Sequence, residues 1–448
     1  MLGWRILRDG EYRIELPRLS SEEEKMILAV EERFKQGSRE RKPSGREECL
    51  EMLKEHLTRH ADENGVILES DQTEYLTKMA YFHIYGCGFI EQLLSDNDIE
   101  EISVIGIEKP VYVFIRNEGW KNVNACFTEE RAIADVVNKM SRELGRRITV
   151  QNPRLDAMLP NGSRLHASLP PISSGEMTIR KFREKPFSPY ELEKTGTISG
   201  EALAYLSLTM HGDNSAIIAG NTASGKTTTM NALFSFVPAN ERIIITEETP
   251  EINIPHKQQV KLVANKEIGI SLKELVYDSL RMRPDRMIVG EVRNKDEAEA
   301  LFDVLLSGQA RGSYATFHAQ SSQEVIQRLN SMGINEIDMN SLDLIVVQRR
   351  MLLYDIGKRR NSEVRRICEI TEINEGKLET IYALDRKTGI LKKVGKSRIL
   401  EKTAENFDVD RDGIMKEMEK RRKIISKKQE YLEFFKEFQK VFYGIDYV

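Results

Sequence analysis

The sequence has no cysteine framework. Its four cysteines, Cys49, Cys87, Cys126 and Cys368, are scattered over 448 residues with no C-x-x-C pair. That spacing argues against a disulfide scaffold or a cysteine-rich zinc site, and the four read as reduced core residues of a cytoplasmic protein. No apolar run reaches the length of a membrane-spanning helix, and the opening stretch MLGWRILRDGEYRIELPRL lacks the apolar core of a signal peptide. Excess charge is also scarce: 67 Lys and Arg against 71 Asp and Glu leave a net charge of -4. With no basic, aromatic-rich stripe, that balance argues against a chain built mainly to bind nucleic acid. What remains is ample for folding. A hydrophobic fraction of 40% with 31% charged residues suits two or three domains with real cores and wet surfaces.

One stretch organises the rest. Ala216 to Ala219 form a short apolar run that reads as a buried parallel strand, and it leads into Gly220, Asn221, Thr222, Ala223, Ser224, Gly225, Lys226 and Thr227. This is the phosphate-cradling pattern G-x-x-x-x-G-K-[ST], continued by Thr228 into a helix with Met230, Leu233 and Phe234 apolar. Glycine at both ends lets the backbone wrap a phosphate chain with its N–H groups inward. Lys226 would reach the β- and γ-phosphates and the Thr227 hydroxyl would sit on Mg²⁺, while the helix N-terminus adds positive partial charge. Nucleotide binding follows from this stretch alone.

Around it, from about Ser188 to Asn374, strands alternate with helices, the signature of a mostly parallel sheet. Four apolar runs end in a polar residue: SAIIAG at the phosphate loop, RIIIT at Glu247 and Glu248, RMIVG at Glu291 and Arg293, SYATF at His318. In an open α/β sheet, ligands gather outside the carboxyl ends of the strands. Glu291 would hold the Mg²⁺ shell through water or polarise the attacking water, with Glu248 next in line for either task and His318 placed to sense the γ-phosphate. Gly290 precedes Glu291 where many phosphate-loop ATPases carry an aspartate, so direct metal ligation at position 290 is excluded.

The flanks read as follows. Residues 1 to about 70 are charged and helical in pattern, an adaptor or docking appendage without chemistry. Ser21 with Glu24 makes a capping box ahead of Met26, Ile27, Val30 and Phe34, and Gln36 to Arg46 looks like a linker. From Gln72 to about Arg183 the pattern is mixed α+β, with a turn at Asn117 to Gly119 and short hairpins over Asp156 to Phe182. Arg154, Arg164 and Arg180, taken alone, are solvated edge charges. Ser271 with Glu274 and Asn294 with Glu297 cap two helices, the second closed by Gly308. After Asn374, DRKTG joins a hairpin. A long helix from Ile414 to Phe442 then keeps Met418, Ile425, Leu432, Phe435, Phe438 and Phe442 on one face, a packing seam or, more sharply read, a partner-binding face.

Taken in order, RIIITEETPEI, LRMRPDRMIVGEVRNKDEAEAL and GSYATFHA resemble the secretion superfamily ATPases of type II and type IV secretion, type IV and Tad pili, and the archaeal pilus and archaellum. The resemblance covers about Gln72 to Asn374. It implies that Glu247 to Glu251 match the acidic "Asp box", with Glu248 where aspartate is usual, that Glu291 is the second-motif glutamate, and that His318 is the "His box". It also implies that Arg164 and Arg180 fall where the family supplies arginines to the nucleotide of an adjoining subunit. The four-cysteine zinc element of the bacterial type II secretion and pilus-extension ATPases is missing, which points to the Tad, type IV secretion and archaeal branches.

The resulting expectation is an α/β chain: a RecA-like P-loop NTPase domain over 188–375, a preceding α+β domain over 71–187 covering the nucleotide, a helical extension over 1–70, and a hairpin and helical extension over 376–448. By resemblance it is a hexameric homo-oligomer that hydrolyses ATP with Mg²⁺, cytoplasmic and peripheral at the inner face of the membrane. There it would work an integral-membrane platform protein to assemble a pilus-like filament or drive secretion, with no nucleic acid expected. Two other readings stand beside it: a nucleic-acid-translocating motor on the same core, and a nucleotide-dependent switch with little turnover.

Overall fold

The structure is a computed structural model that describes residues 6–8, 11–14, 19–40, 43, 45–116, 118–183, 185–265, 268–357 and 359–447. The expected turn residue Asn117, and Arg41, Lys42 and Ser44 of the expected linker, lie outside these residues. The chain divides into two compact units, Met1–Phe182 and Arg183–Val448.

The first unit holds β1 (Ile6–Arg8), β2 (Glu11–Arg13), α1 (Ser21–Glu40), α2 (Arg46–Glu63), α3 (Ser70–Ile84), α4 (Ile90–Ser95), β3 (Ile99–Val104), β4 (Pro110–Ile115), β5 (Gly119–Cys126), α5 (Glu130–Ser141), β6 (Arg154–Met158), β7 (Arg164–Ser168) and β8 (Glu176–Arg180). Its sheet runs β1-β2-β5-β4-β3-β8-β7-β6. Two cores form. Met26, Ile27, Val30 and Phe34 recur at helical spacing along α1 and pack on Cys49, Leu53 and Leu57 of α2 and Leu76 and Ala80 of α3. Ile102, Val104, Val113, Leu165, Met177 and Ile179 face α4 and α5 across the sheet in a second core.

Three readings of this half are corrected. The first residues are not all helical: β2 pairs in parallel with β5, and β1 antiparallel with β2. Strands this short carry too little period-2 pattern to be read, and sheet pairing decides them. The capping box lies one residue earlier than expected, because the Glu23 carboxylate accepts from Ser20 N at 2.7 Å and Glu23 N donates to Ser20 Oγ at 3.3 Å. Gln36 to Glu40 belong to α1 rather than to a linker.

The second unit comprises α6 (Pro189–Lys194), α7 (Gly200–His211), β9 (Ala216–Gly220), α8 (Lys226–Phe234), β10 (Ile243–Glu247), β11 (Gln259–Val263), α9 (Leu272–Leu280), β12 (Arg286–Val292), α10 (Lys295–Ser307), β13 (Gly312–Phe317), α11 (Ser322–Ser331), β14 (Leu344–Asp355), β15 (Arg360–Asn374), β16 (Lys377–Asp385), β17 (Ile390–Lys393), α12 (Arg398–Asn406), α13 (Arg411–Ile425) and α14 (Tyr431–Tyr443). The sheet order is β11-β10-β12-β13-β9-β14-β15-β16-β17. From β11 to β14 every pairing is parallel, so β9, β10, β12 and β13 all end at one edge. Strands buried on both faces read as unbroken apolar runs. Ala216 and Ile218 enter the core beneath α7, α8, α13 and α14, while Ile217 and Ala219 enter the core shared with α9, α10 and α11. This is the RecA-like P-loop layout, preceded in the chain by an α+β unit.

The single C-terminal helix expected from Ile414 to Phe442 is two. α13 stops at Ile425, and Glu430 opens α14 in a capping box with Glu433. Met418, Ile425, Phe434 and Phe438 are buried in the unit's own core, while Leu432 is exposed. The chain itself covers the seam, and no partner is needed to bury it.

Of the histidines in this unit, His256 is buried and His211 half-buried. His256 contacts Val237 O through Nε2 at 3.2 Å, and His211 receives an Arg421 guanidinium at 2.9 Å on Nδ1. Burial, reinforced for His211 by Arg421, pushes each down to about 4. A histidine held neutral in the fold binds fewer protons than the unfolded chain between pH 6.5 and 4, so its stabilisation is complete above 6.5 and is lost as pH falls towards 4. Glu247, raised to about 7 by burial, acts in the opposite sense between pH 4.5 and 7, so single variants isolate each term. The advantage of wild type over His256→Gln, read from urea midpoints, should shrink by roughly 3 kcal/mol at most between pH 7 and pH 4. A constant difference across that range would show that His256 is not held neutral.

Candidate nucleotide-binding site

The phosphate loop is shaped by contacts that only glycine allows. At Gly220 a Cβ would sit 2.1 Å from the carbonyl oxygen of Gln348, and Gly225 has φ +97. Gln348 is buried on β14, directly opposite Gly220, and its Oε1 accepts from Thr229 Oγ1 at 2.6 Å. Asn221 exchanges two hydrogen bonds with the backbone of Arg350, and Arg365 Nε donates to Ala223 O at 3.0 Å. The loop is therefore braced from β14 and β15, by residues more than a hundred positions downstream that nothing in the motif announces.

Glu291 is the hub of the strand tips. Its Oε1 lies 3.6 Å from Lys226 Nζ and 2.9 Å from His318 Nε2, and its Oε2 accepts from Arg293 Nε at 2.6 Å. Arg293 also pairs with Glu248, bringing that carboxylate to the cluster through the guanidinium rather than through Thr227. Burial lowers the Lys226 ammonium pKa against the pull of Glu291, and burial together with Lys226 lowers that of His318. Thr227 Oγ1 donates instead to Glu251 at 3.1 Å. Glu251 closes the acidic stretch Glu247 to Glu251 that the resemblance matches to the "Asp box", with no separate role implied for it there.

Behind these, Glu247 is buried at 3% exposure, and its Oε1 accepts the N–H groups of Glu251 and Ile252 at 2.8 and 2.9 Å. It fixes the turn that sets Glu251 on Thr227. A Cβ at Gly290 would lie 2.9 Å from Glu247 Cγ, so glycine precedes Glu291 because an aspartate there would strike this neighbour. The structure thus brings together Lys226, Thr227, Glu248, Glu291 and His318.

Arg164 and Arg180 belong to the first unit. They stand opposite each other on β7 and β8, both on the exposed face. Arg164 makes a two-pronged bond to Asp156, 3.2 Å from Nε and 3.1 Å from Nη2, and that hydrogen bonding lowers the carboxyl pKa.

A nucleotide and Mg²⁺ fit the residues present. Ser224 Oγ is buried in the loop with no hydrogen-bond partner, and Gly225 holds φ +97 at the turn into α8. Among the described residues no group of three or more His, Cys, Asp or Glu is assembled to hold a metal.

The model of the type II/IV secretion system proteins matches residues 85–433, most of the chain. The chain belongs to this family. The relatives cover it unevenly. An uncharacterized protein of Methanocaldococcus jannaschii is 35% identical over 313 residues, 68% of this chain and 55% of its own length. A second from the same organism is 35% identical over 274 residues but is covered over only 37% of its length. The chain thus spans about half, or less, of these two relatives. The type IV secretion system protein VirB11 of Bartonella quintana is 28% identical over 337 residues, 61% of this chain and 92% of that protein. Among solved structures it is similar to the Legionella pneumophila ATPase DotB, 15% identical over 75% of this chain and 87% of that one, with a TM-score of 0.47. For the pilus retraction motor PilT with bound ADP the figures are 18%, 71%, 86% and 0.46. No helix among the described residues is long and apolar enough to cross a membrane.

Proposed function

We propose that the protein is an ATP hydrolase that powers a pilus-like or secretion machine as a homo-oligomeric ring, expected to be a hexamer. The observation that carries this is Glu291 at the meeting point of Lys226, His318 and Arg293, one strand tip from a glycine-walled phosphate loop. Gly220 to Thr227 and the helix N-terminus at Lys226 bind and orient the phosphates, and Lys226 meets the charge that develops as the γ-phosphate leaves. Glu291 orients and polarises the attacking water, and His318 fixes the rotamer of Glu291. Glu248 is released from Arg293 for the same site. Thr227, with Glu248 and Glu291 through water, would hold Mg²⁺, which neutralises phosphate charge. Arg164 and Arg180 are assigned to the nucleotide of an adjoining copy, and the partner that the ring works on is an integral-membrane platform protein at the cytoplasmic face. The four-part division at residues 70, 187 and 375 is retained as functional segments of that machine.

The test is release of inorganic phosphate from ATP by the purified full chain, with Mg²⁺ and with a chelator. Release that requires Mg²⁺ is expected. Tight nucleotide binding without release under any condition would favour the switch.

A further inference from the structure

Beyond Gln348 the strand β14 leaves the sheet. It pairs with β9 only from Leu344 to Gln348, its register with β15 shifts between Val347 and Gln348, and β15 meets β16 only from Glu369 onwards. Between those limits Arg349–Asp355 and Arg360–Arg366 pair with each other alone. At about 3.4 Å per residue the ribbon reaches roughly 20 Å past the sheet. A two-stranded ribbon by itself is only marginally stable in water, and this one is apolar where it is most exposed. Leu352 is 68% exposed, Leu353 46%, Tyr354 59% and Ile356 80%. So dense an exposed apolar cluster marks a contact surface.

The ribbon's chemistry selects what it contacts. Because side chains alternate along a strand, Leu352 and Tyr354 lie on one face and Leu353 on the other. What separates an anionic lipid surface from an apolar protein groove is the charge set beside this apolar cluster. The turn sequence DIGKRR adds Lys358, Arg359 and Arg360 against the single Asp355, and Arg359 is exposed. Aliphatic and tyrosine side chains beside a cationic run in the sequence are the composition of a segment that binds the headgroup layer of an anionic bilayer.

We propose that the β14–β15 ribbon is a membrane-docking arm whose tip lies on bilayers carrying anionic headgroups. Its base is the brace of the phosphate loop, through Gln348 to Thr229, Arg350 to Asn221 and Arg365 to Ala223. The docking itself does not rest on turnover, so failure of the ATPase reading leaves it testable.

The experiment is sedimentation of the full chain with vesicles of phosphatidylcholine alone or with phosphatidylglycerol added, over a salt series. Binding confined to the anionic vesicles and weakened by salt is expected. The double variant Leu352→Asp, Tyr354→Asp should lose it, and Arg359→Glu should weaken it about tenfold or more. Thermal melting and nucleotide binding of both variants should match wild type, which separates lost docking from lost folding. No sedimentation with anionic vesicles at low salt would overturn the proposal. So would equal binding by the variants, or variants that change self-association of the chain while vesicle binding persists. Capture only by vesicles containing a membrane protein would overturn it in favour of a protein partner.

Discussion

Glu291→Gln should lower ATP turnover by about 10²- to 10⁴-fold, the range expected when a positioned general base is removed. The substitution is isosteric, and its new amide can still face His318 and Arg293, so the hub keeps its shape. What it loses is negative charge. With Lys226 3.6 Å away and Arg293 bonded at 2.6 Å, the wild-type carboxylate sits between two cations. Removing that charge leaves Lys226 and Arg293 freer to attract phosphate, so nucleotide should bind as tightly as in wild type or more tightly. Turnover from phosphate release and affinity from a fluorescent nucleotide analogue check the two halves separately. Loss of both together would mean that Glu291 supports the loop rather than the chemistry.

Arg286→Ala should destabilise the second unit by about 3–5 kcal/mol, the cost of breaking a buried ion pair from one side. Arg286 is fully buried at the start of β12, and its Nε donates to Glu241 Oε2 at 2.7 Å. Nη1 donates to Gly212 O at 2.8 Å and to Tyr314 OH at 3.2 Å. Truncation strands the Glu241 carboxylate, with only Arg311 among the described residues left to pair it at 3.1 Å. The cluster lies at the amino ends of the strands, opposite the phosphate loop. The loss should therefore appear as a lower urea midpoint while nucleotide affinity of the folded fraction is retained. The double variant Arg286→Met, Glu241→Gln should recover most of the loss, since no buried charge is left unpaired. A midpoint for Arg286→Ala within experimental error of wild type would show that the pair contributes nothing.

The legible part of this chain was its strand tips. Parallel strands buried on both faces leave apolar runs that end abruptly, and Gly220, Glu247, Glu291 and His318 each follow one. What stayed hidden depends on contacts between distant positions. Gln348 touches the loop from more than a hundred residues away, and Glu251 reaches Thr227 only because Glu247 gathers the intervening turn. Gly290 departs from the commoner aspartate for a reason visible only once Glu247 is placed beside it. The break in the C-terminal helix was missed because Ser426 to Glu430, SKKQE, contains neither glycine nor proline. There, packing of Phe434 and Phe438 into the core overrides local propensity. Adjacent serines at 20 and 21, followed by three glutamates, offered two equivalent capping boxes, and backbone geometry chose the first.

The measurement that bears most directly on a shared-site ring is ATPase rate against protein concentration, for wild type and for Arg180→Ala. A rate per chain that rises steeply as the protein assembles, and stays flat and low in Arg180→Ala, is the predicted result. A rate per chain independent of concentration, or an Arg180→Ala variant indistinguishable from wild type once assembled, would contradict the account.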